Sequence, residues 1–404
     1  MKKEKLRYDQ IIKLKFTRIL NNIFIIATEA SGDVLGAGLI KHLKKKKSNL
    51  NFIGIGGQQM IDQGLLPITH IKNISVMGFK EVIGKFFFLL RIIKKIEYEI
   101  ECHQPIALVT IDGPAFCFVL AKKIRKKMGS KIKIIHYVSP SVWAWKKKRI
   151  QKMSKIFDHL MVLFPFEQDC YKNVSLPTTF VGHPMVERLM PSKHQQETWK
   201  KFHHIDPFQR MVAILPGSRF QEIKYHLNIF IETINTLTLD NIIIVIPTLD
   251  FLYDEVESQC KKNLKKPYII VCEHLLKEVA LSCCDVAIAA SGTVTLELAR
   301  LGVPTIVAYR LSSISYWIAK KFIQIPFVSL INILLNKSVV VELIQDHCNV
   351  DILKRHLVDI LNNKNDQSSM RCHFKEVMQL ITPHQEIPSN IAASTVLEVI
   401  EKKE

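Results

Sequence analysis

The sequence predicts an α/β protein made of two doubly wound parallel sheets, each in its own domain. Three observations predict this class. Apolar runs of strand length recur along the chain, each closed by a small-residue turn and followed by a stretch of helix formers. The alternation occurs twice, before and after a polar, aperiodic stretch that runs from His183-Pro184 to about Gln209. Finally, 404 residues suffice for two cores, and 48% hydrophobic residues leave no case for general disorder.

Residues 1–20 form a basic extension, charged throughout and without the apolar core of a secretory signal. A first strand at 23–27 runs into Thr28-Glu29-Ala30-Ser31-Gly32-Asp33, then a helix from about 34 to 47. Gly36 and Gly38 allow that helix to pack closely on the sheet but do not complete a G-x-G-x-x-G fingerprint. A strand at 52–55 follows. Residues 74–95 are too apolar for one helix face and interleave Phe86, Phe87 and Phe88 with lysines and an arginine. They suit either a core helix with solvated lysines or a segment lying in a membrane interface. The run 106–111 is a buried strand ending in Asp112-Gly113-Pro114; a carboxylate there is either catalytic or a cap. Strand 132–138 leads into Ser139-Pro-Ser-Val-Trp143-Ala-Trp145 and four basic residues, a surface suited to bases, sugar rings or headgroups. Strands at 160–164 and 179–182 close the first half.

The second half repeats the pattern. A strand at 211–215 ends in Pro216-Gly217-Ser218-Arg219 before a helix from about Phe220, and further strands are expected at 242–246, 268–271, 286–290 and 305–309. The stretch 286–309 is the most informative: strand, Ser291-Gly292-Thr293, a helix through Arg300 stopped by Gly302 and Pro304, then a strand. The first amides of that helix point to the carboxyl end of the sheet and suit a phosphate, and Glu297, four residues after Thr293, suits sugar hydroxyls. An ordinary capped βαβ unit reads the same way. From about Val350 the chain is helical, with a polar interruption at 362–369. The expected organisation is therefore an extension at 1–20, a domain at 21–190, a second at 205–350, and helices at 351–404.

A net charge of +19, from 56 Lys and Arg against 37 Asp and Glu, asks for an anionic partner: nucleic acid, anionic lipid or a phosphorylated substrate. The nine cysteines include no Cys-x-x-Cys pair or metal-ligand spacing, and read as reduced, mostly buried thiols of a cytoplasmic protein. The longest apolar window is too short to span a bilayer.

Five segments, taken in order, resemble one family. Glu29-Ala-Ser-Gly-Asp33, Ser139-Pro-Ser-Val-Trp-Ala-Trp145, Val181-Gly-His-Pro184, Leu215-Pro-Gly-Ser-Arg219 and Ala290-Ser-Gly-Thr293 with Glu297 are similar to the motifs of lipid-A-disaccharide synthase, from about residue 20 to the end. The resemblance implies an inverting glycosyltransferase of GT-B type, with two Rossmann-like domains facing a central cleft and no cofactor or metal. UDP-2,3-diacylglucosamine would be the donor and 2,3-diacylglucosamine 1-phosphate (lipid X) the acceptor. On the donor side, the second domain, it implies Ser218, Arg219, Ser291, Gly292, Thr293, Glu297 and Asn332. On the acceptor side it implies Glu29, Ser31, Gly32, Asp33, Ser139, Trp143 and His183, with Asp112 as the base. It further implies peripheral docking on the anionic inner face of the inner membrane through Val76, Met77, Phe86, Phe87 and Phe88; a homo-oligomer is left open. Three positions depart from the family's pattern. Thr28 stands where Gly usually precedes Glu29; Asp112-Gly-Pro-Ala-Phe-Cys117 replaces Asp-Ala-Pro-Asp-Phe-Asn; and Ile331-Asn332 replaces Pro-Asn. The rival readings are another UDP-sugar enzyme of the same fold (a peptidoglycan glycosyltransferase or a UDP-N-acetylglucosamine 2-epimerase) and a basic nucleic-acid-binding protein. The second lacks any recognised motif and its charge is spread, so no nucleic-acid partner is expected.

Overall fold

Runs of Ile, Val, Phe and Ala become central strands because helices cover both of their faces and no alternation is required. The computed structural model describes residues 21–71, 82–140, 147–239, 241–312, 316 and 326–402. It divides into two units, Met1–Pro184 with Ile381–Glu404, and Met185–Leu380.

In the first unit β1 (Asn22–Ala27), β2 (Asn51–Gly56), β3 (Leu65–His70), β4 (Ala107–Ile111), β5 (Lys133–Tyr137), β6 (His159–Val162) and β7 (Thr178–Phe180) form a parallel sheet in the order β3-β2-β1-β4-β5-β6-β7. The order reverses between β1 and β4, where a doubly wound sheet opens its crevice. The helix Pro114–Met128 lays Leu120, Ala121 and Ile124 on a core that includes Phe24, Ile26, Leu108, Ile134 and Leu160. Each fully buried Leu or Ile there contributes roughly 1.5–3 kcal/mol of transfer free energy. The second unit repeats the plan with β8 (Arg210–Leu215), β9 (Ile242–Pro247), β10 (Tyr268–Val271), β11 (Val286–Ala289), β12 (Thr305–Tyr309) and β13 (Val341–Ile344), ordered β10-β9-β8-β11-β12-β13, with its reversal between β8 and β11.

β3 and β13 escape the reading by apolar runs. Both are edge strands with one sheet neighbour; β3 contains Pro67 and leaves Leu66 63% exposed. The stretch Lys193–Phe202, which reads as aperiodic, is a helix capped by Ser192 and anchored by Trp199 alone. The terminal helices do not stay together: Val350–Asn362 and Lys364–Leu380 belong to the second unit, whereas Pro388–Glu401 packs on the helix Ala30–Lys46 of the first. Ser389 explains Gly38, whose added Cβ would lie 2.4 Å from its Oγ, and Met60 explains Gly36, at 2.5 Å from Sδ. Those two glycines thus admit neighbouring helices rather than the sheet. Gly32 is the one that meets the strands, 3.2 Å from Ala27 Cβ and 3.5 Å from Ile111 O.

The helix Val82–His103 buries Ile93, Ile96 and Ile100 at helical spacing, so the core-helix reading accounts for its second half. Val76, Met77 and Trp143 lie outside the described residues, and Phe86, Phe87 and Phe88 are described only as backbone of that helix. None of the described helices is long and apolar enough to cross a membrane. None of the nine cysteines, all of them among the described residues, forms a disulfide: four are buried, three half-buried, and Cys102 and Cys372 exposed.

Candidate functional site

At the β8/β11 reversal the second unit carries a cavity of about 430 Å³. Its lining brings together Ser218, Arg219, Ser291, Gly292, Thr293 and Glu297. The ends of β8 and β11 supply these six, and those of β9 and β10 complete the lining with Thr248 and Cys272. After β8 the chain passes through Pro216-Gly217-Ser218-Arg219 into the helix Phe220–Asn235, and the loop is held by Glu222. The carboxylate accepts from Ser218 N (2.8 Å), Arg219 Nη1 (3.1 Å) and Tyr309 Oη (3.4 Å). Gly217, at φ +128°, leaves room for this grip, since its Cβ would meet Glu222 Cβ at 2.4 Å. His226 ties the same loop to β12. Its Nε2 accepts from Arg310 N (2.9 Å), so Nδ1 carries the proton and donates to Pro216 O (2.8 Å). Burial lowers its pKa and keeps the ring neutral.

After β11 comes Ser291-Gly292-Thr293 and a short helix, Val294–Arg300. Among the described residues the amides of Gly292 and Thr293 engage no acceptor, and the Ser291 hydroxyl donates to Val328 O at 3.2 Å. Glu297 accepts from Lys277 Nζ at 2.6 Å and lies 3.8 Å from Arg188. Arg188 also bonds Glu278, which in turn meets Arg300 at 2.6 Å. Burial works against charge on Glu278, but Arg300 and Arg188 outweigh it and hold its pKa below the ordinary value. Facing outward, then, is a set of amides, hydroxyls and cations with two carboxylates, Glu222 and Glu297, among them. Such a lining suits an anion that also carries hydroxyl groups.

Asn332 behaves differently from expectation. It is fully buried, and its amide is saturated: Nδ2 donates to Val340 O (2.9 Å) and Glu342 Oε1 (2.8 Å), and Oδ1 accepts from Val339 N (2.8 Å) and Val340 N (3.0 Å). With no donor or acceptor left over, it braces Glu342, which receives Val328 N and Ser329 N. Its reach to the cavity is indirect, through Val328 and Ser291.

The first unit's reversal gathers the other residues. Asp112 ends β4 at φ +50°, a left-handed conformation that Asp tolerates better than most L-residues but that still costs about 1 kcal/mol. Its Oδ1 accepts from Gly113 N at 2.8 Å. Burial raises its pKa, and that single amide bond offsets only part of the effect. The same burial, with the charge of Asp112, raises the Cys117 thiol far above its ordinary range, so the thiol stays protonated. Glu29 caps the helix Ala30–Lys46, and Glu29 and Ser31 are exposed at its first turn. Asp33 and Ser139 turn inward. Asp33 accepts from Gly57 N (2.7 Å), Gln59 N (3.1 Å) and Met60 N (3.1 Å), fastening the β2 turn. Ser139 bonds Tyr171 Oη at 2.7 Å. Buried His183 stacks on Phe164 at 5.6 Å. Asp33 and Ser139 thus spend side-chain oxygens on the protein's own groups, and His183 is held by burial and its ring contact.

Two Rossmann-like units, each with an equipped reversal, describe a fold rather than a chemistry; comparison with known proteins supplies the rest. A family profile described as lipid-A-disaccharide synthetase matches residues 23–396. The chain belongs to that family. A lipid-A-disaccharide synthase of Nitrobacter winogradskyi is 35% identical over 385 residues, 94% of this chain and 95% of the relative. Among solved structures, a UDP-GlcNAc 2-epimerase from Neisseria meningitidis bound to UDP-GlcNAc superposes with a TM-score of 0.62 at 12% identity, over 94% of this chain and 99% of that one. A glycosyltransferase from Rickettsia africae gives 0.58 at 12%, over 95% and 99%. At such identity these two establish only the fold, which is that of the GT-B glycosyltransferases.

The lipid-A-disaccharide synthetase family thus sets this chain among enzymes. Three cavity residues went unnoticed in the sequence: Glu222, Lys277 and Thr248. Glu222 was visible as an acid three residues into a helix after a glycine turn. Lys277 was hidden among 56 basic residues. Thr248, immediately after β9, lines the cavity with a buried hydroxyl that has no partner among the described residues; its position at a strand's carboxyl end was the available signal.

Proposed function

We propose that the chain transfers a diacylglucosaminyl group from UDP-2,3-diacylglucosamine to the 6-hydroxyl of 2,3-diacylglucosamine 1-phosphate, with inversion. One observation carries this: Ser218, Arg219, Ser291, Gly292, Thr293 and Glu297, far apart in sequence, line a single cavity at the carboxyl ends of β8 and β11. The amides of Gly292 and Thr293, the Ser218 hydroxyl, the Arg219 fork and, on leaving Val328 O, the Ser291 hydroxyl would take the diphosphate. Glu297 would accept from the ribose hydroxyls, its charge balanced by Lys277. As the anomeric C–O bond to UDP breaks, the same donors stabilise the negative charge that collects on the leaving diphosphate. The acceptor 6-hydroxyl attacks the opposite face of that carbon, and its proton passes to the Asp112 carboxylate. A raised pKa makes that carboxylate a stronger base than an exposed aspartate.

Because both sugars carry acyl chains, we also propose peripheral docking on anionic membrane through the segment around Val76, Met77 and Phe86–Phe88. Binding to anionic vesicles by a folded chain with all three phenylalanines replaced by Ser is expected to fall sharply; unchanged binding discards this surface.

The deciding assay follows disaccharide 1-phosphate and UDP from the two substrates, for the native chain and Asp112→Ala. Product from the native chain with a loss of about 10²–10⁴-fold in the folded variant is the expected result. Activity surviving in the variant removes Asp112 from the role of base. No product from the folded native chain would favour another UDP-sugar reaction.

A further inference from the structure

Thr28 follows β1 and Gly113 follows β4, so the β1/β4 reversal sets them side by side. A Cβ placed on Gly113 would lie 1.9 Å from Thr28 Oγ1 and 3.1 Å from Thr28 Cβ. Thr28 is 5% exposed and, among the described residues, its hydroxyl has no hydrogen-bond partner. A buried hydroxyl without a partner is unfavourable, so its presence needs a reason other than hydrogen bonding. Gly113 occupies three roles at once. It is left-handed at φ +50°, its N–H holds Asp112 Oδ1, and its carbonyl receives Phe116 N (3.1 Å) and Cys117 N (3.0 Å) at the start of the helix Pro114–Met128. Its placement therefore fixes both the Asp112 carboxylate and the helix behind it.

We propose that Thr28 and Gly113 form a size-matched pair in which the Thr28 side chain holds the Asp112-Gly113 backbone in place, making Thr28 a positioning residue for the Asp112 carboxylate. This rests on the reading of Asp112 as the base.

The test uses the full chain with Gly113→Ala, Thr28→Gly, the two together, and Thr28→Ala. Thermal unfolding, kcat, KM for each substrate and the pH profile of kcat/KM are measured for each. Gly113→Ala is expected to lose about 100-fold in kcat, a base-removal-sized effect, with smaller changes in KM. Adding Thr28→Gly to it is expected to restore at least about tenfold, so that the two changes are strongly non-additive. Thr28→Ala, which removes the contact without introducing a clash, is expected to fold normally, lower kcat and move the acid limb of the profile. A double variant no better than Gly113→Ala, or a Thr28→Ala enzyme with native kcat and pH profile, overturns the proposal. If Gly113→Ala does not fold, recovery of folding in the double variant and the Thr28→Ala profile decide the matter. Asp112→Asn, assayed alongside, separates the two ideas. Should it remain active, the base assignment fails while the coupling of 28 and 113 still reads out in unfolding. Should it be inactive and the pair uncoupled, the base assignment stands and the positioning role fails.

Discussion

Replacing Asn332 by Ala should unfold the second unit before it affects the chemistry. The side chain is 0% exposed, and its removal strands the Val340 N–H and takes one donor each from the Val340 carbonyl and Glu342 Oε1, while the Val339 N–H keeps Lys337 O (3.0 Å) and Oε1 keeps Ser329 N (2.8 Å). Each buried polar group left without a partner costs about 1–3 kcal/mol. Water admitted to the vacated space recovers part of that. A net loss of about 2–4 kcal/mol is expected, which for a unit of this size is on the order of a 5–10 °C fall in Tm. Thermal and urea unfolding followed by circular dichroism measure it, and calorimetric titration with UDP gives the affinity of the folded protein. Since Asn332 reaches the cavity only through Glu342, Val328 and Ser291, that affinity should fall by less than about tenfold, or 1.4 kcal/mol. A Tm unchanged within about 2 °C, together with a larger loss of UDP affinity, would refute the bracing argument and return Asn332 to direct contact with the donor.

Three further expectations concern charge. Asp112→Asn should lower activity yet leave Tm at neutral pH equal to or above that of the native chain. The carboxyl's folded-state pKa is raised, so its favourable contribution exists only below the unfolded pKa and is lost as pH rises through the folded one; the variant's advantage should shrink on acidification. His136 is fully buried between Phe118 and Phe157, with Nδ1 on Thr110 Oγ1 at 2.8 Å, and burial lowers its pKa from 6.5 to about 3. Its folded state refuses the proton that the unfolded chain takes, so stability present above about pH 6.5 is lost on acidification toward the folded value. Relative to His136→Phe, urea midpoints between pH 7 and 5 should show the native chain losing about 1.4 kcal/mol per pH unit below that point; parallel curves would count against the buried neutral ring. Lys277→Met should weaken UDP binding about tenfold, because Glu297 would then face the diphosphate with only Arg188, 3.8 Å away, as counter-charge, while binding of uncharged uridine changes by less than about threefold. Equal losses for both ligands would mean that Lys277 only shapes the pocket.

The fold class was legible because buried parallel strands need nothing but apolar residues at strand length, and the glycine, serine and threonine turns mark where each strand ends. β3 and β13 were not, since an edge strand with one neighbour can be short, half-exposed and interrupted by Pro67. The cavity residues Ser218, Arg219, Ser291, Gly292, Thr293 and Glu297 were legible for a related reason. In a doubly wound sheet, strand-end turns converge at the reversal of strand order, so their position in sequence is nearly a position in space.

Side-chain commitment was not legible. Asp33, Ser139 and Asn332 stand in motifs as readily as Glu297, and nothing local tells a residue that offers its polar atoms to a ligand from one that spends them on the protein's own groups. By itself the sequence determined the two parallel sheets, the strand-end turns that equip them and the excess of positive charge, because these follow from local composition and spacing. Only the tertiary structure decided that Glu222, Lys277 and Thr248 join the cavity, that the last helix returns to the first unit, and that Thr28 touches Gly113. Those are contacts between segments remote in sequence, set by strand order and helix packing, and no local pattern encodes them.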